Sequence, residues 1–196
     1  IDGYFIHMPG IYIVYPSNAL DAKGLLKMAC RMDDPVLFME HKGLYRQGYA
    51  ATKEPDSDYI IPFGKGRLVS NGNYLTLVTW GAMVQKSVEA VQELLLEENI
   101  VEIIDLRTLN PIDFDILEVS INKTGKVLIV HEDNLTNGPG AEISAIISEN
   151  FFEYLDGPIK RVTAKDSPIP FNWVIEEKIL PQTKDISNAI EELLEY

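Results

Sequence analysis

The stretch "LTLVTWGAMVQKSVEAVQELLLEENIVEIID", Leu75–Asp105, decides the fold. "LTLVTW" and "IVEIID" are short apolar runs rich in β-branched residues, the composition of a buried strand. Between them, "GAMVQKSVEAVQELLLEEN" places Val84, Val88, Val91 and Leu95 at helical spacing on one face. Strand, helix and strand in about thirty residues form a parallel crossover unit. The pattern continues downstream. "DFDILEVSINKT" reads as a helix, "KVLIVH" as a strand and "GAEISAIISENFFEYL" as a helix with Ile143, Ile146, Ile147 and Phe151 facing in. "IKRVTA" is a last strand, and "KDISNAIEELLEY" a closing helix with Ile186, Ala189, Ile190, Leu193 and Leu194 on its apolar side. Upstream, "IYIVYP", "SNALDAKGLLKMACRM" and "PVLFME" repeat strand, helix and strand. There Ser17 or Asn18 is the cap, and Leu25, Leu26, Ala29 and Cys30 lie at helical spacing. The chain is therefore α/β, with mostly parallel sheets and helices on both faces.

Periodicity fails from His41 to about Asn73, where Gly, Pro, Asp and Ser dominate. So long a stretch without pattern reads as a connection between two units, residues 1–66 and 67–196, with a short extended piece around Tyr59–Phe63 packed within it.

The chain has 196 residues, of which 46% are hydrophobic, enough for a sizeable core. Its formal net charge of −13 argues against nucleic acid, whose phosphates it would repel, and no apolar run is long enough to cross a membrane. Cys30 stands alone, so no internal disulfide forms, which fits a reducing, cytoplasmic compartment. The first residues lack the blocks of a signal peptide and an initiator Met, as a cut end would.

In "VLIVHEDNLTNGPGAEI", Val127–Ile143, a strand delivers His131, Glu132 and Asp133 to the place where open α/β sheets put their chemistry. No Ser or Cys nucleophile motif stands near, and a hydrogen-bonded structural histidine is the better-supported reading. His7, His41 and His131 are too scattered for zinc. "NGPG" offers amides for an anion at a helix start, but a tight turn explains it more simply. Asp105 and Arg107 read as a pair, or as caps of neighbouring backbone.

Taken together, these segments resemble a family. "HMPGIYIVYPSNALDAKGLLKMACRMDDPVLFMEHKGLYR" is similar to the second half of the pyrimidine-binding domain in beta subunits of thiamine diphosphate-dependent 2-oxo acid dehydrogenases. "VTWGAMVQKSVEA", "IIDLRTLNPID", "TGKVLIVHED" with "GAEI", and "IKRVTAKDSPIPF" resemble, in order, that family's carboxyl-terminal domain, which is of transketolase type. The resemblance implies a carboxyl-terminal piece of a beta subunit, or of an alpha–beta fusion. It implies that the full enzyme carries thiamine diphosphate and Mg²⁺. The family's cofactor glutamate and catalytic histidine lie upstream of "FIHMPG", so no catalytic residue and no cofactor binding are expected of this chain alone. His7 belongs to the "HxPG" element.

The family's structural potassium site maps onto the carbonyls of Ala29, Met32 and Asp34, although other members tend to carry Asp and Asn where Met32 and Asp34 stand. Expected partners are a second copy through the carboxyl-terminal domain, an alpha subunit or region, and a dihydrolipoyl acyltransferase core. Glu191, Glu192, Glu195 and Tyr196 would contact that core, and Tyr196 would be a native end. "EHKGLYR" leans towards a branched-chain substrate. The alternatives are another thiamine enzyme, of transketolase or deoxyxylulose phosphate synthase type, and a non-catalytic α/β interaction module.

Overall fold

A computed structural model describes residues 1–95 and 99–196. The expected crossovers form two sheets. The smaller has three strands, β1 (Tyr12–Val14) and β2 (Val36–Phe38) in parallel, joined through α2 (Ala19–Ala29). Asn18 caps α2, its side-chain oxygen accepting from the Asp21 N–H at 2.9 Å. The third strand is β6 (Thr108–Asn110), which pairs antiparallel to β1. It comes from the far half of the sequence.

The larger sheet runs β3-β5-β4-β7-β8, where β3 is Arg67–Ser70, β4 Leu75–Thr79, β5 Val101–Asp105, β7 Val127–Asn134 and β8 Ile159–Ala164. All neighbours are parallel except β3 and β5. Alternation along the central strands sends side chains to two layers. Leu75, Leu77, Val101, Ile103, Leu128 and Val130 pack under α3 (Met83–Glu93) and α7 (Thr183–Leu194). Val78, Ile104, Val127 and Ile129 pack under α4 (Phe114–Thr124) and α5 (Pro139–Asn150). Each large side chain so buried contributes roughly 1.5–3 kcal/mol. Polar members of the second layer satisfy one another: the Thr76 hydroxyl lies 2.6 Å from both Ser120 and Thr124 on α4.

Several local expectations shift. The buried residues of α3 are Met83, Val84, Ser87 and Ala90, with Val88 and Val91 half-buried against the same core, while Leu95 of the expected stripe is exposed. Small residues let the helix approach α7, where the Ser187 hydroxyl donates to the Ala90 carbonyl at 3.3 Å. The expected helix also ends earlier, at Glu93, and residues 96–98 lie outside the described part. On α2, Leu25 is buried but Leu26 and Cys30 are exposed. The reason is Gly24. A Cβ there would come within 2.8 Å of Ile61 and Tyr59, so the connecting segment lies against this face, with the Ile61 N–H donating to the Gly24 carbonyl.

The connecting segment is thus more ordered than its composition suggests. Tyr59, Ile61 and Phe63 join the small core of Val14 and Leu25, and β3 adds an edge strand to the larger sheet. Two further helices are unanticipated, α1 (Asp2–Ile6) and α6 (Trp173–Ile179).

Candidate functional site

The chain leaves β4 towards β5 on one side and returns over the sheet to β7 on the other. The carboxyl ends of β4 and β7 therefore flank the point where strand order reverses, the usual ligand crevice of such sheets. Here side chains fill it. Trp80, just past β4, stacks on His131 of β7 with ring centroids 5.2 Å apart and planes 12° off parallel. The indole N–H donates to Asp2 of α1 at 2.9 Å. Tyr15 covers the β4–α3 turn, where Gly81 holds a left-handed φ of 57° and a Cβ would meet the ring at 2.9 Å.

His131 is fully buried, and its Nε2 accepts the Gly140 N–H at 3.2 Å. The Gly140 amide of "NGPG" is thus engaged by an imidazole on the first turn of α5. Burial pushes the imidazole pKa down to about 4, so the ring is neutral near pH 7. Burial also raises the Asp2 carboxyl and the Tyr15 phenol above their ordinary values. This cluster is a plug that joins the two sheets.

Of the two expected arrangements of Asp105 and Arg107, a side-chain pair or a backbone cap, the cap is the one formed. Asp105 caps its neighbour's backbone, accepting the Arg107 N–H at 3.1 Å, while the Arg107 guanidinium reaches Asp21 on α2 at 3.1 Å. Arg67 of β3 bridges the two acids, 3.1 Å from Asp105 and 3.4 Å from Asp21. Both carboxylates are fully buried, and Ser17 donates to Asp105 at 2.6 Å. Two acids and two guanidinium groups thereby clamp α2, β3 and the end of β5. Charge alone could not reveal this, because the partner of Arg107 lies 86 positions earlier.

The carbonyl-bearing residues Ala29, Met32 and Asp34 follow one another through the turn between α2 and β2. The Ala29 carbonyl already accepts the Met32 N–H at 3.1 Å. Glu191, Glu192, Glu195 and Tyr196 are all exposed on α7 and just after it, with Glu192 paired to Lys160 of β8. Tyr196 lies beside Gly157.

A cleft of about 940 Å³ lies between α1 and the β7–α5 loop. Asp133, Glu142 and His7 line it, with no lysine or arginine among its described residues. Two acids without a lysine or arginine side chain do not suit a diphosphate. Among the described residues no cluster of three His, Cys, Asp or Glu side chains could hold a metal. The lining of this cleft therefore does not fit thiamine diphosphate with its Mg²⁺.

The chain matches the family described as "Transketolase, C-terminal domain" over residues 64–186, and "Transketolase, pyrimidine binding domain" over residues 3–47. It is similar to the pyruvate dehydrogenase E1 component subunit beta of Staphylococcus epidermidis and to that of Staphylococcus aureus. Each is 40% identical over 196 residues, covering 100% of this chain and 59% of the relative. Among solved structures, a split-gene transketolase described as an inactive beta4 tetramer superposes with a TM-score of 0.78. It covers 99% of this chain and 60% of that one at 24% identity, a likeness of fold.

Proposed function

Because this chain belongs to the family of the transketolase C-terminal domain, with part of the pyrimidine-binding domain before it, we propose that it is an assembly-forming part of a 2-oxo acid dehydrogenase. The observation that carries this reading is the 40% identity to pyruvate dehydrogenase beta subunits along the whole chain. The chain spans 59% of those relatives' length, and its crevice is plugged by Trp80 and His131. Its contribution is accordingly to hold subunits together, while thiamine diphosphate and Mg²⁺ are held by residues outside it.

The surface supports such a role. Phe171 and Trp173 are largely exposed beside an exposed Val174 and Ile175, an apolar face suited to a second copy or to an alpha subunit. Glu191, Glu195 and Tyr196 form a separate acidic edge for a basic domain of an acyltransferase core. A potassium ion on the Ala29, Met32 and Asp34 carbonyls would be weak, since one of them is already engaged. The relatives' names make pyruvate the first substrate to test, and "EHKGLYR" adds the branched-chain 2-oxo acids.

The test is an assay of the assembly containing this chain and its alpha partner. Each 2-oxo acid is offered with thiamine diphosphate, Mg²⁺ and an artificial electron acceptor. Cofactor-dependent oxidation of a 2-oxo acid supports the reading. Turnover of sugar phosphates alone would assign the chain to the transketolase branch, and no cofactor-dependent reaction would leave it an interaction module.

A further inference from the structure

One ion pair ties the segment after β2 to the larger sheet. His41 Nε2 lies 3.0 Å from Glu132 Oε2, and Glu132 stands on β7 next to the buried His131. Beyond His41 the chain makes two 3-10 turns, Lys42–Leu44 and Gly48–Ala50. These are held by bonds local to the segment: Leu44 N–H to the His41 carbonyl at 2.9 Å, Gln47 N–H to Leu44 at 3.2 Å, and Ala50 N–H to Gln47 at 3.1 Å. The Tyr45 hydroxyl donates to Glu40, a contact that reaches neither β7 nor α3. Together the turns roof a cavity of about 380 Å³ whose walls include Pro16, Ala19, Ala22 and Phe38, with His41 at its rim.

We propose that His41 and Glu132 form a pH-operated latch, which holds the Lys42–Ala51 strap over this cavity while the imidazole is protonated and releases it when the proton leaves. The ring is confined for this role. Gly43 lies against its other edge, where a Cβ would come within 2.9 Å, and Nδ1 is buried there without a partner among the described residues. The charged groups that face it are Glu132 from β7, Lys86 from α3 and Asp2 from α1. The Glu132 hydrogen bond dominates and raises the imidazole pKa, against burial and the Lys86 charge, which lower it. A raised value in the folded state means that the latch is fully made below the ordinary value of 6.5 and is lost as pH climbs through the raised one. His131, held near 4, stays neutral across that range.

Hydrogen exchange of the full chain, corrected for intrinsic rates, tests the latch at pH 6 and pH 9. Protection of the Leu44–Ala51 amides is expected to fall at least about threefold more in the wild type than in Glu132→Gln, because only the charged pair adds a pH-dependent attraction to the latch. His41→Gln, which keeps an uncharged donor, is expected to show the lower protection at both values. The His41 titration midpoint by NMR is expected to drop in Glu132→Gln. Equal pH dependence in wild type and Glu132→Gln, or coincident His41 midpoints, overturns the proposal. Should Glu132→Gln fail to fold, wild type against His41→Gln decides in the same way.

Discussion

Trp80 and His131 lie face to face, 5.2 Å between centroids, across the point where the strand order of the larger sheet reverses. The stack keeps the imidazole dry and therefore neutral, with a pKa near 4 against an ordinary 6.5. On acidification the unfolded chain takes up this proton first. The stability due to the neutral ring is complete above pH 6.5 and is lost as pH falls towards about 4. The difference of 6.5 − 4 = 2.5 units corresponds to roughly 3 kcal/mol as an upper figure. Urea unfolding between pH 7 and pH 4.5 should show a shallower loss in His131→Gln than in the wild type, and parallel curves would contradict the assignment.

The clamp of Asp21, Arg67, Asp105 and Arg107 should behave as one unit. Removing one member strands a buried charge, which costs about 3–5 kcal/mol, whereas removing an opposite pair leaves less charge uncompensated. Asp21→Ala and Arg107→Ala are each expected to lower stability by about that amount. The double variant should be clearly better than the sum. Chemical denaturation of the four proteins completes the cycle, and strict additivity would show that the pair is not coupled.

Two glycines separate packing from chain flexibility. A Cβ on Gly72 would sit 2.0 Å from the Glu102 backbone nitrogen, so Gly72→Ala must push β3 off β5. At Gly48 a Cβ meets nothing within 4 Å. Gly72→Ala is expected to cost several kcal/mol, on the order of 3 or more, and Gly48→Ala to stay within about 0.5 of the wild type. Thermal melts of both variants check the contrast.

Limited proteolysis should cut the connecting segment first between Ala51 and Asp58, where most side chains are exposed. The two pieces are expected to stay together afterwards. Strand β6, the carboxylate clamp and the Trp80–Asp2 bond all cross between them. Cleavage at Lys53 followed by size-exclusion chromatography under native conditions should give one peak holding both fragments. Separate peaks would mean that these contacts are too weak to hold.

The long parallel strands could be read from the sequence because β-branched runs such as Val127–Val130 have no other stable home than a buried sheet. Two short edge strands could not. Arg67–Ser70 and Thr108–Asn110 are half-polar and antiparallel, and they become strands only because β5 and β1 offer them an edge. Faces were legible only approximately. Val84, Val88 and Val91 form a periodic stripe that does pack on the core, but the most deeply buried positions, Ser87 and Ala90, carry no hydrophobic bulk and lie where α3 approaches α7. At the crevice, His131 was visible as a candidate, but its neutrality depends on Trp80 and Gly140, neither of which announces a partner in the sequence. The partner of Arg107 was hidden for the same reason. Its acid sits in the first turn of α2, where an aspartate ordinarily needs no explanation beyond the helix end.

Strand β6 has a consequence for how such chains can be recombined. It lies well inside the carboxyl-terminal half, yet it completes the sheet of the amino-terminal half by pairing with Ile13 and Val14. A hybrid made by joining two relatives near residue 66 would import a foreign edge into the small sheet. It would also set an untested guanidinium against Asp21. Productive crossovers should therefore keep Tyr12–Val14, Asp21 and Asp105–Asn110 from the same parent, so the heritable module is a set of contacts and not a contiguous length of chain.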